Sequence, residues 1–228
     1  PQEIFFYRFL IAYIGIWAIS PKHLFADNLK DELWLVAGGV FGGSLYFFTE
    51  NTALGITQAS NVAFIICTAP LLTTILSLIF YKSEKATKGL IYGSLLALIG
   101  VGLVVFNGSV VLKLSPVGDL LTLLAALSWA FYSLVIKRMT GRYPTVFITR
   151  KIFFYGVLTI LPAFLLHPLQ PDFDVLLQPL VLSNLLFLAV LASLICYILW
   201  NVVLKQLGTM RASNYIYLNP LVTLVQLL

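Results

Sequence analysis

The chain reads as an all-α integral membrane protein, a polytopic helical bundle made of two inverted five-helix repeats. Three observations predict this. Hydrophobic residues make up 60 % of the sequence and charged residues only 10 %, with a mean hydropathy of +0.98, whereas soluble domains carry charge on about a quarter of their residues. Apolar runs of membrane-crossing length follow one another from end to end. A short motif occurs twice: Leu54-Gly55-Ile56-Thr57-Gln58-Ala59-Ser60-Asn61 and Leu207-Gly208-Thr209-Met210-Arg211-Ala212-Ser213-Asn214 agree at five of eight positions. Each copy leads into an apolar segment interrupted by proline, Pro70 or Pro220.

A helix needs about 20 apolar residues to cross the hydrocarbon core. That length picks out eight spans, near 4–20, 33–54, 59–81, 88–107, 118–138, 146–166, 180–204 and 211–228. Pro21, Pro116, Pro144, Pro168 and Pro171 stand in the gaps, where helices stop. The net charge of +5 comes from basic residues in short loops, which makes them orientation signals rather than a nucleic-acid surface. Alternate gaps receive Lys22 and Lys30, then Lys82, Lys85 and Lys88, then Lys137, Arg138 and Arg142, then Lys205 and Arg211. The opposite side has Lys113 and, early in span one, Arg8. By the positive-inside rule the rich side is cytoplasmic, so residue 1 lies on the outer side of a multi-pass plasma (inner) membrane protein.

The repeat then acquires a direction. Pro1 precedes Arg8 by seven residues at the head of span one, and Pro144 precedes Arg150 by six at the head of span six. Spans one to three pair with six to eight, span four closes the first unit, and span five opens the second. The simplest completion is a five-helix unit used twice, with eight of about ten helices present and the units divided as 1–110 and 111–228. Five is odd, so the second unit crosses the membrane inverted, an arrangement found in many secondary transporters. The registers differ: nine residues separate Asn61 from Pro70, but only six separate Asn214 from Pro220.

These features together resemble the drug/metabolite transporter superfamily, in its EamA-like branch of ten-helix carriers. The resemblance covers essentially the whole chain. It is carried by Arg8, by Ala53-Leu54 through Ala59-Ser60-Asn61 to Pro70, and by Glu84. Gly118-Asp119 with Trp129-Ala130, and Arg211-Ala212-Ser213 to Pro220, complete it. It implies ten helices with both termini cytoplasmic, and export of small metabolites, often amino acids, by alternating access. On this pattern residues 1–110 are helices two to five and 111–228 are helices six to nine. The chain reads as a fragment lacking the first and last helices.

Candidate substrate-binding residues follow from polarity at membrane depth. Glu50 with Asn51 stands near the outer end of span two; a carboxylate there opposes insertion by about 2.5–3.5 kcal/mol, so its retention points to a substrate-amine or proton site. A wet interfacial glutamate, or one paired with Arg8, is the other reading. Arg8 is placed either to hold a substrate carboxylate or to snorkel; for Arg150, beside Lys151, snorkelling or loop pairing is favoured. Asn61 and Asn214 open the proline-broken helices, as backbone caps or as gate residues. Thr68, Tyr217 and Asn219 lie beside the hinge prolines Pro70 and Pro220, where a missing N–H frees a carbonyl; polar groups at that depth also glue helices. Trp129 and Tyr132 in span five and Asn201 in span seven suit a cavity wall, whereas Trp17, Trp34 and Trp200 read as interfacial belt residues. Gly38, Gly39, Gly42 and Gly43, and likewise Gly89, Gly93 and Ala97, predict close helix packing. Asp119 reads as a helix N-cap.

Cys67 and Cys196 both lie in apolar runs, which excludes a disulfide framework or zinc site. No nucleophile–base pair, metal cluster or nucleotide motif is present, so neither an enzyme nor a cofactor is expected. The expected partners are a small-molecule substrate, an amino acid foremost, the lipid bilayer and a coupling proton; no nucleic acid is expected, and the chain acts as a monomer or homodimer. A channel without alternation uses the same kind of interior. A scaffold or receptor needs a large loop, and the longest loop here runs about 13 residues.

Overall fold

A computed structural model of the chain describes residues 2–20, 24–81, 87–106, 115–166, 168–169 and 171–218. Among these, eight helical stretches follow the spans expected from hydropathy. They are α1 (Gln2–Ile19), α2 (29–56), α3 (Ala59–Phe80), α4 (Lys88–Phe106), α5 (Pro116–Thr140), α6 (Thr145–Leu165), α7 (Pro179–Leu207) and α8 (209–218). Five of them, α1, α3, α5, α6 and α7, are long and apolar enough to cross a membrane by length and composition alone, and α4 is a shorter apolar helix. The connections α1–α2, α3–α4, α5–α6 and α7–α8 share one end of the bundle, here the basic end. Across that end Ser77 bonds Thr209 at 3.0 Å and Tyr81 donates to the Leu134 carbonyl at 3.0 Å.

The core lies between α1, α2, α5, α6 and α7. Phe5, Phe9 and Ile16 of α1 meet Leu35, Tyr132, Ile136, Ile152, Phe153 and Tyr197 there. α6 packs against α1 and α2, α5 packs against α2 and α3, and α7 lies along α1. α4 touches only α3 and α8 among the more extensive contacts, and it shows Ile91, Leu95, Leu96, Ile99 and Leu103 outward. So much exposed aliphatic surface is tolerable only where lipid covers it.

Five backbone irregularities shape this bundle. α2 widens into a π turn at Val40–Ser44, closed by the Leu45 N–H on the Val40 carbonyl. In lipid a loosened helix must satisfy its polar groups from within the protein. The Phe41 carbonyl accepts from Ser128 at 3.0 Å and the Gly42 carbonyl from Tyr197 at 2.6 Å. α7 has its own π stretch at Phe187–Ile195. α3 breaks at Cys67–Thr68, just ahead of Pro70, whose ring cannot donate the N–H that a continuous helix needs. Gly208 ends α7 with φ +79°, a conformation in which a side chain is strained, and α8 starts directly after it. α8 tightens into a 3₁₀ turn at Asn214–Leu218; Asn219 and Pro220 lie outside the described residues.

The glycine expectation holds for α2 and fails for Gly89 and Gly93 of α4, whereas Ala97 packs beside Cys67, Val101 and Tyr217. A Cβ on Gly42 would sit 2.3 Å from the Tyr132 ring, and one on Gly39 would sit 2.5 Å from Tyr155 and 2.9 Å from backbone of α6. Gly89 and Gly93 meet nothing within 4 Å, because that face of the peripheral α4 has no helix against it. Asp119 is also corrected. α5 begins at Pro116 with Ser115 as the N-cap, and Asp119 reaches back to accept from the Ser115 N–H at 3.3 Å.

Gly42→Ala is therefore expected to lower stability by about 1–3 kcal/mol, since Tyr132 is hemmed in by other core groups. Gly93→Ala should be neutral or stabilising by up to about 1 kcal/mol. Thermal unfolding of the two variants in detergent separates these outcomes.

Candidate functional site

A polar column runs through the aromatic core. Arg8 of α1 donates from Nε to Ser193 Oγ at 2.8 Å, and its guanidinium lies 4.6 Å from the centre of the Phe47 ring. Glu50 of α2 accepts from Tyr46 at 2.9 Å, one helical turn away. Its charge is close enough to Arg8 to attract it, although each has its own hydrogen-bond partner. Towards the basic end, Tyr132 donates to Asn201 Oδ1 at 2.7 Å and Asn201 donates onward to Thr149 at 2.9 Å. This buried chain ties α5, α7 and α6 together in one layer.

Beside the column lies a cavity of about 440 Å³, within the size range of small-molecule sites. Tyr46 of α2, Ile66 and Ala69 of α3, Trp129 of α5, Trp200 of α7 and Tyr215 of α8 line it. The break in α3 and the short first turns of α8 bring those two helices to its wall. Trp129 is the hub, with ring centroids 5.1 Å from Tyr46, 5.1 Å from Tyr132 and 5.8 Å from Trp200. The indole Nε1 atoms of Trp129 and Trp200 are buried and have no hydrogen-bond partner among the described residues. Two unmet donors in an aromatic wall suit a ligand with an acceptor and an apolar body. Glu50 sits one hydrogen bond behind the same wall, through Tyr46.

The structure brings only some of the expected residues together. Arg8, Glu50, Trp129, Tyr132 and Asn201 belong to the column or the cavity. Asn51 is half-exposed one residue beyond Glu50, and Asn61 is buried in the first turn of α3, where Gln58 occupies the N-cap. Thr68 turns back onto the Ile65 carbonyl at 2.6 Å, and Asn214 accepts from Ser94 of α4 at 3.1 Å. Tyr217 packs with Cys67 and Val101. Trp200 is corrected from a belt residue to a cavity wall, because α7 continues to Leu207 and carries it about 10 Å inside the helix end. Sequence reasoning missed Tyr46, Ser193, Tyr197 and Tyr215. The i, i+4 spacing of Tyr46 and Glu50 was the one available signal.

A family model described as the EamA-like transporter family matches residues 1–106 and 116–226. The chain belongs to that family. It is similar to an uncharacterized transporter of Archaeoglobus fulgidus, 27 % identical over 229 residues, covering 99 % of this chain and 78 % of that protein. It is also similar to a protein of Salmonella typhimurium named as a probable amino-acid metabolite efflux pump. That relative is 27 % identical over 217 residues, covering 90 % of this chain and 71 % of its own length. A solved structure shares the fold with a TM-score of 0.76 at 19 % identity, covering 100 % of this chain and 77 % of its own. The protein is thus a multi-pass membrane transporter of small molecules rather than an enzyme.

In this transporter the basic end holds charge that hydropathy reasoning assigned to the loops. Asp31, 1 % exposed, accepts from Arg142 at 3.0 Å, from Tyr143 at 3.0 Å and from Asn28 at 2.9 Å. Lys151, 3 % exposed, pairs with Glu32 and donates to the Leu24 carbonyl at 3.0 Å. Tyr155 also donates to Glu32, and Arg150 bonds the Ser20 carbonyl. Arg150 and Lys151 therefore pair with the α1–α2 connection and the start of α2 rather than snorkel, and Arg142 and Tyr143 latch the α5–α6 connection onto Asp31. Asp31 precedes the apolar part of α2. Burial alone would raise its pKa, but the hydrogen bonds from Arg142, Asn28 and Tyr143 outweigh it and hold the carboxyl below its usual value.

Two outcomes are expected at this latch. Glu32→Gln leaves a buried ammonium without its counter-charge and should destabilise the protein by roughly 3–5 kcal/mol. A carboxylate with a depressed pKa stabilises the fold above its unfolded value of about 4 and loses that contribution as pH falls through the lower folded value. The stability advantage of the native protein over Asp31→Asn should then be constant from pH 7 to about 5 and shrink progressively as pH falls below about 4. Thermal unfolding across pH measures both.

Proposed function

We propose that this transporter is a secondary carrier that exports amino acids or related amphiphilic metabolites by alternating access. The observation that carries the reading is the cavity between α2, α3, α5, α7 and α8, with its aromatic wall and two unpartnered indole N–H groups. A substrate carboxylate takes those donors, its apolar part lies against Tyr46 and Tyr215, and Glu50 acts through Tyr46. Protonation of Glu50 removes the charge that Tyr46 bonds, which gives a route for proton coupling. The basic end is cytoplasmic in a plasma (inner) membrane. The latch and the Tyr132–Asn201–Thr149 layer form the gate on that side, which favours a carrier with one gate shut over an open channel.

Residues 1–110 and 111–228 act as inverted units that rock about α3 and α8. Several observations support the pairing of α1, α2 and α3 with α6, α7 and α8. The family match divides at residues 106 and 116. Both α2 and α7 contain π turns, and both α3 and α8 depart from regular helix ahead of their prolines. The packing of α1 on α7 is answered by that of α6 on α2.

Counterflow with the full-length protein in liposomes tests the reading. Vesicles loaded with an unlabelled amino acid should accumulate the labelled one transiently above equilibrium. Monotonic equilibration without overshoot, for every amino acid tried, would sink the alternating-access proposal. Trp200→Phe removes one donor while keeping an aromatic ring, and should raise KM about tenfold with a smaller change in kcat. Glu50→Gln should flatten the pH dependence of transport; an unchanged profile would remove Glu50 from the coupling.

A further inference from the structure

α5 shows a second face that transport does not use. Trp129 and Tyr132 turn towards the cavity and the core, whereas Phe131, Leu134, Val135 and Arg138 recur at i, i+3, i+4 and i+7 along another stripe. With Trp34 and Phe41 of α2 and Phe80 and Tyr81 at the end of α3, this stripe lines a separate groove of about 370 Å³. Phe41 stacks on Phe131 at 5.3 Å and Phe80 meets Phe131 edge-on at 6.3 Å. Phe80 is 60 % exposed at the rim, so the groove opens sideways to the bilayer.

The mouth of the groove carries positive charge. Arg138 lies two residues from the end of α5, at headgroup depth, with its guanidinium 4.8 Å from the Trp34 ring centre. Its Nε is buried and finds no acceptor among the described residues. Lys137 adds a second cation, 4.2 Å from the centre of the Tyr81 ring, and the Tyr81 hydroxyl is fixed on the Leu134 carbonyl. A buried guanidinium N–H without an acceptor calls for a ligand oxygen, and the fork of Arg matches phosphate. From Arg138 to Phe131 is about 10 Å along the helix, the length of the upper part of an acyl chain.

We propose that this groove binds one anionic phospholipid from the leaflet at the basic end. The phosphate is received by Arg138 with Lys137 beside it, and one acyl chain lies along Phe80, Phe131 and Phe41. A zwitterionic lipid presents its own ammonium to the same two cations and is disfavoured. Each basic residue near a membrane surface contributes about 1 kcal/mol to anionic-lipid binding, which is about fivefold in occupancy.

Native mass spectrometry of the full-length protein, exchanged into equal amounts of phosphatidylglycerol and phosphatidylcholine, reads the preference directly. The expected result is one retained phosphatidylglycerol, favoured about fivefold or more over phosphatidylcholine, with Arg138→Gln lowering that preference about fivefold. Equal retention by the native protein, or a preference unchanged by Arg138→Gln, would overturn the proposal. Displacement of the lipid by inorganic phosphate alone would also overturn it, since the groove would then read an ion and not a lipid. A dimer that carries no lipid would assign the groove to a second copy. If Arg138→Gln does not fold, fluorescence quenching by brominated lipids decides on native and Trp34→Phe protein. Quenching by brominated phosphatidylglycerol should exceed that by brominated phosphatidylcholine, and the excess should shrink without Trp34. Equal quenching by the two lipids overturns the assignment.

Discussion

A carbonyl loosened from its helix inside a bilayer has no water to turn to, and much of this bundle depends on where two such carbonyls find donors. The π turn of α2 leaves Phe41 and Gly42 to be met by Ser128 of α5 and Tyr197 of α7. Those two bonds set the spacing of three helices at mid-membrane. They also place Gly42 under the Tyr132 ring, so the residue that permits close approach and the residue whose carbonyl is capped are the same. Once Tyr132 is seated there, its hydroxyl reaches Asn201, and Asn201 reaches Thr149. The polar layer is a consequence of the backbone defect and not an independent feature.

The same geometry explains why the cavity forms where it does. Helices that remained regular would pack aromatic residues into one another and close the space. The break at Cys67–Thr68 and the tight turn of α8 stop α3 and α8 from continuing the close packing seen between α2, α5 and α6. The gap they leave is walled by Trp129 and Trp200, rings too rigid to collapse inward. Charge is distributed in keeping with this. Arg8 and Glu50 are each bonded to a neutral hydroxyl within the column, while Asp31 meets Arg142 and Glu32 meets Lys151 near the basic end. Near the end of the bundle such pairs lie closer to water than they would at mid-membrane, where parting them would leave both charges in hydrocarbon.

How much of this was legible beforehand differs from residue to residue. Arg8, Glu50, Trp129, Tyr132 and Asn201 stood out because a polar or indole group deep in an apolar run is unusual by itself. Thr68, Asn214 and Tyr217 stood out for the same reason, yet they serve helix contacts, since polarity at depth does not distinguish a cavity wall from an interface. Tyr46, Tyr197 and Tyr215 carry no such mark, because tyrosines are common in this chain. Arg142 and Lys151 were read only as charges in or beside a loop and Asp31 and Glu32 drew no reading, because their meeting joins residues more than 100 positions apart.

The membrane class, the existence and order of eight helices, the proline break in α3 and the glycine face of α2 were all legible in the chain alone. All of these follow from local composition, because the bilayer demands a continuous apolar length and small residues admit a neighbouring helix. Which polar residues share a space, that Gly89 and Gly93 face outward, that Trp200 faces inward and that the basic loops are latched became visible only in the folded chain. Those outcomes depend on the rotation of each helix about its own axis. That rotation is set by long-range packing and by where loosened carbonyls find donors, and no local pattern encodes it.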